Sequence, residues 1–148
     1  MGDRGNIYVK QHPAPGAASG GIFIYSHWSG FRLPELLQDA LKKGESRWDD
    51  EPYLTRIIAQ GIFGDDDGIT GYGITTYLTD NDYPVLVVDS ERRMVGVAEA
   101  PRGTDIGTIF RELSFEAFTS LDKNALESFR DRSSPLASAD TKTGGTHG

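Results

Sequence analysis

The 148-residue chain contains no cysteine, which excludes a disulfide framework, a thiol nucleophile and any thiolate-bound metal. It has no apolar run near the roughly 20 residues a membrane helix needs, and no signal-peptide pattern at its start. A soluble, cytoplasmic protein without a membrane partner is therefore expected. Positive charge is in deficit, with 15 Lys and Arg against 22 Asp and Glu for a net charge of −7. A protein that tracks extended nucleic acid needs the opposite balance. Histidine is scarce as well: His12, His27 and His147 include no i, i+4 pair, so no metal site is expected.

Motifs of common chemistries are also missing. Gly-Lys-Ser/Thr does not occur, and Gly71-Tyr72-Gly73 is followed by Thr76 where a dinucleotide fingerprint places its third glycine, so no cofactor is expected. The run Asp65-Asp66-Asp67-Gly68 lacks alternating ligands, and Thr76 stands where a calcium loop closes with Glu. Gly-x-Ser-x-Gly is absent, and removal of Met1 would expose Gly2, which has no nucleophilic side chain. Asn6 stands where a myristoylation signal wants Ser or Thr. No catalytic residue is assigned from these patterns.

What is present is a pattern of elements. Leu33, Leu36, Leu37, Ala40 and Leu41 form one apolar stripe at helical spacing, with Pro34 suited to a first turn and Gly44 to a stop. Leu54, Ile57, Ile58, Gly61 and Ile62 repeat it behind a cap at Asp49 or Asp50. Strands are expected at 6–10, 22–25, 71–78, 85–88 and 94–99, the last two as a hairpin, with a loop over 11–21. Residues 105–113 fit a helix or a strand. Ser114 caps a short helix, and a last helix is expected over 121–132. Strands and helices fall in blocks, which predicts a single α+β domain over 1–132, its mainly antiparallel sheet packed with two or more helices. Residues 133–148, poor in large apolar side chains, are expected to be a disordered tail.

The runs Gly2-Asp3-Arg4 with Asn6, Tyr25-Ser26-His27-Trp28-Ser29-Gly30, Arg47-Trp48-Asp49-Asp50, and Asp80-Asn81-Asp82-Tyr83-Pro84 with Leu86-Val87-Val88-Asp89 resemble a group of small uncharacterised bacterial and phage proteins. That group has no established activity, so the resemblance implies a self-contained domain and supplies no site residues.

Guanidinium forks read phosphates and carboxylates, and aromatic faces stack on bases. Arg4, His27, Trp28, Arg32, Arg47, Trp48, Tyr72, Asp80, Asn81 and Tyr83 are therefore the candidate ligand-binding set, with Arg4, Trp28 and Arg47 expected to converge. The function expected from them is non-catalytic recognition of a small anionic ligand, such as a nucleotide-derived signal; in a phage protein this would suit sequestration of a host signal. Alternatively, the acids of 49–51 and 65–67 dock on a basic protein partner, or a small hydrolase uses His27 and Asp80. Homo-oligomerisation is left open.

Overall fold

The computed structural model describes residues 2–18, 20–100 and 105–134. Its strands are β1 (Gly5–Gln11), β2 (Gly20–Ser26), β3 (Tyr72–Thr75), β4 (Val85–Asp89), β5 (Met94–Ala98) and β6 (Ile109–Ser114). Its helices are α1 (Leu33–Lys43), α2 (Glu51–Phe63), α3 (Phe115–Thr119) and α4 (Lys123–Ser128). The strands make one six-stranded sheet in the order β3-β2-β1-β4-β5-β6. All neighbours are antiparallel except the central pair, β1 and β4. This is a single α+β domain.

Register explains which face is buried. Ile7 stands opposite Ile24 and Leu86, Leu86 opposite Val97, Val88 opposite Val95, and Val95 opposite Leu113. With a side-chain period of two, these residues share one face, and all are buried against Leu37, Leu41, Leu54 and Ile58 of α1 and α2. Gly61 lets the two helices approach, because a Cβ there would lie 3.1 Å from that of Ala40. On the opposite face Phe23, Val85 and Tyr8 are covered by Leu78 and Ile106 from the long loops.

Both long helices form as the stripes predict. Pro34 sits in the first turn of α1 and Gly44 ends it, while the Asp50 side chain caps α2 by accepting from the Tyr53 amide. The ambiguous segment resolves as β6, since the open edge of β5 offers a ladder of backbone partners. The expected helix over 121–132 is only the six residues of α4. Beyond it the chain runs irregularly, pinned by the Arg111 guanidinium, which donates to the carbonyls of Phe129, Asp131, Arg132 and Ser134. The expected tail thus begins with two tethered residues, and 135–148 lie outside the described residues. Among the described residues no helix is long and apolar enough to cross a membrane.

Candidate functional site

The parallel pair gives the sheet two chemically distinct ends. One end gathers the starts of β1 and β4 with the end of β2. Seven residues of β1, at about 3.3 Å each, separate it by roughly 20 Å from the other.

At the first end the structure brings together Arg4, His27, Trp28, Asp80, Asn81 and Tyr83, with Tyr72 pairing Ser26 nearby. Most of their polar groups are engaged with one another. Arg4 donates through Nε and Nη2 to the two carboxylate oxygens of Asp82, at 3.2 and 3.1 Å, and its Nη1 lies 3.5 Å from Asp80. The guanidinium in turn holds the Asp82 carboxyl below the usual carboxylate range. Buried Asn6 donates to the Asp80 carbonyl and to Asn81 Oδ1 at 3.1 Å each. Tyr83 donates to Asp3, and its ring lies 4.1 Å beneath the Arg130 guanidinium. Arg130 is 7% exposed, and burial pushes its pKa down to about 10. These contacts fasten the loop over 80–83 to the start of β1 and to the C-terminal segment.

The His27 ring pairs with the Tyr25 hydroxyl at 2.8 Å while Asp80 faces Arg4, so no hydrogen bond joins the residues of the hydrolase reading. The Ser26 hydroxyl is buried and accepts from the Ser29 amide. Trp28 is 55% exposed, its indole lying over the backbone of Gly71. Gly71 has φ +98°, a region that disfavours side chains, and a Cβ there would come within 2.4 Å of the ring.

Arg32, Arg47 and Trp48 have other surroundings. Arg32 pairs with Glu35 on the exposed face of α1. Arg47 lies in the turn that enters α2, at the opposite end of the sheet from Arg4 and Trp28, so the three do not converge. It pairs with Asp50 and stacks 4.4 Å over Tyr53. Trp48 is a core residue: its indole N–H donates to the Leu41 carbonyl at 2.9 Å, and its ring meets Phe115 edge-on. The acids at 49–51 are likewise engaged, Asp49 with Arg93, Asp50 with Arg47 and Glu51 with His12.

The second end holds a site that sequence spacing does not reveal. After β1 the chain turns to β2 on one side, and after β4 it turns to β5 on the other. Such divergence opens a crevice beyond the carboxyl ends of two parallel strands, where open sheets commonly receive ligands. His12 occupies it. Glu51, the first residue of α2, accepts from the His12 amide at 2.7 Å and bonds its ring Nδ1 at 2.6 Å, and Ser90 donates to the same carboxylate at 3.1 Å. The other ring nitrogen, Nε2, faces Asp89 at 3.6 Å and Glu91 at 3.7 Å.

Lys10 Nζ stands 3.7 Å from Asp89, and Arg92 Nη1 stands 3.9 Å away while donating to Glu112 at 2.8 Å. Three cationic groups thus surround one buried carboxylate, each beyond hydrogen-bond distance. The Glu51 hydrogen bond, followed by the charges of Glu51, Asp89 and Glu91, raises the His12 pKa against the cost of burial. Burial works against the charge of Glu51, but the bonds from His12 and Ser90 prevail and hold its carboxyl below the ordinary range.

Two cavities flank the imidazole. One, of about 530 Å³, is lined by Lys10, His12, the loop from Pro13 to Ala17, Asp89, Glu91 and Arg92. The other, of about 760 Å³, is bordered by Gln11, His12, Ser46, Asp49, Asp50 and Glu51. Among the described residues no group of three His, Asp or Glu side chains is set to hold a metal ion. Such a site can hold an anion against Lys10 and protonated His12, with Glu51 fixing the ring. No family model, no curated protein and no solved structure matches the chain.

Proposed function

We propose that the protein is a recognition domain that captures a small anionic ligand in the crevice beyond the carboxyl ends of β1 and β4. One observation carries this reading: Lys10 and His12 Nε2 face the 530 Å³ cavity with no partner among the described residues closer than 3.6 Å. The arginines singled out in the sequence, by contrast, are committed to Asp82, Asp80, Glu35 and Asp50. An oxyanion entering the crevice gains charge-assisted hydrogen bonds without breaking one. The position at a divergence of parallel strands supports the reading. The resemblance to bacterial and phage proteins suits capture of a nucleotide-derived signal.

The test is thermal unfolding at constant ionic strength and pH 6 with sulfate, phosphate, acetate and adenosine monophosphate. A ligand at ten times its Kd stabilises by about 1.4 kcal/mol, or roughly 4–6 °C for a domain of this size. Lys10→Ala should abolish the shift whatever it does to the starting Tm, and Arg4→Ala should keep it. A shift that survives Lys10→Ala and disappears in Arg4→Ala would move the ligand to the other end of the sheet.

A further inference from the structure

The geometry points to proton-coupled capture: an anion enters the crevice together with the proton that completes the His12 imidazolium. This rests on the anion-recognition reading and adds how the site is regulated. The groups facing the imidazole are Glu51 from α2, Asp89 from β4 and Glu91 from the turn after it, while Lys10 from β1 and Arg92 from that turn face Asp89. With His12 neutral, Lys10 and Arg92 stand against the three carboxylates of Glu51, Asp89 and Glu91, so the cluster carries an excess of negative charge that opposes an anion. Arg92 is in addition shared with Glu112, so no positive charge is left over. A further anion beside these carboxylates needs a compensating positive charge.

His12 is the group that can supply it. Its Nδ1 is committed to Glu51, so the neutral ring donates there and turns a bare lone pair on Nε2 toward Asp89, Glu91 and the cavity. That lone pair repels an oxyanion; the protonated ring donates to it. The raised pKa of His12 favours the binding-competent form near neutrality. Capture is therefore strong in mildly acidic solution and fades as the pH rises through the titration of His12.

Sulfate is the suitable probe, because its own charge is constant between about pH 5 and 9, whereas phosphate titrates in that range. Calorimetric titration of the full chain with sulfate, in two buffers of different ionisation heat, counts the protons taken up. Above the His12 pKa the expected result is uptake approaching one proton per sulfate with Kd rising up to tenfold per pH unit, and below it uptake falls toward zero. His12→Gln should bind more weakly and without pH dependence. If that variant does not fold, the pKa of His12 in the unmodified protein, read by NMR, should still rise when sulfate is present. Sulfate binding at Lys10 with no proton uptake and an unmoved His12 pKa would overturn the coupling while leaving anion recognition standing. No binding of sulfate or of any other anion tested at pH 5.5 would overturn both.

Discussion

Replacing Glu51 by Gln removes one charge while keeping the shape of the group that organises the crevice. The carboxylate is 18% exposed and receives three hydrogen bonds: the His12 amide, the His12 ring and the Ser90 hydroxyl. A hydrogen bond to a charged group contributes about 1.5–3 kcal/mol and a neutral one about 0.5–1.5 kcal/mol, so weakening the two side-chain bonds should cost about 2–3 kcal/mol. For a domain of this size that lowers Tm by roughly 6–12 °C. The loss should depend on pH in a defined sense. His12, with its raised pKa, contributes stability fully present below its unfolded value of about 6.5 and lost as pH rises through the folded one. Glu51, with its lowered pKa, contributes stability present above its unfolded value of about 4.3 and lost as pH falls through the folded one. The cost of Glu51→Gln, measured by urea unfolding, should therefore peak near about pH 5.5–6.5 and shrink by about half at pH 9, where a neutral ring still donates from Nδ1. A cost equal at pH 6 and pH 9, or below about 0.5 kcal/mol at both, would refute the partly buried ion pair.

Other outcomes follow from packing. Ile58→Ala, at a fully buried position, should cost about 2–5 kcal/mol in chemical unfolding, whereas Lys42→Ala on the exposed face of α1 should stay within about 0.5 kcal/mol. The two tryptophans should differ as sharply: Trp48→Ala should cost about 3–5 kcal/mol and Trp28→Ala less than about 1 kcal/mol, by the same measurement. Gly71→Ala should cost about 1–3 kcal/mol from its left-handed backbone. It should also shift the emission of Trp28, because the new methyl displaces the indole.

The fold was legible where burial imposes a period. The stripes of α1 and α2, their prolines in first turns, the Gly44 stop and the Asp50 cap are local signals with local causes. So are the continuous apolar runs of β2 and β4, which lie inside the sheet. The last helix was overextended because Phe129 continues an apolar pattern, while the hydrogen bonds from Arg111 that hold the following segment in another course come from β6. The candidate site divides in the same way. The residues clustered around Arg4 were visible as polar and aromatic groups in loops, but nothing in sequence shows that Asp82 and Asp80 occupy the guanidinium. Arg47 and Arg4 looked equivalent until β1 set them at opposite ends of the sheet. His12 read as a loop residue, since its partners Glu51 and Asp89 arrive from a helix and a strand far along the chain. The one hint was an acid, Asp89, closing an otherwise apolar strand.

The central claim is that an anion binds at Lys10 and His12 and not at Arg4 and Trp28. Amide and side-chain NMR shifts followed during titration with sulfate at pH 6 test it residue by residue. The account predicts saturable shifts at Lys10, His12, Ser90 and Arg92, with Arg4, Trp28 and Asn81 unmoved. Shifts confined to Arg4, Trp28 and Asn81, or no saturable shift anywhere, would contradict it.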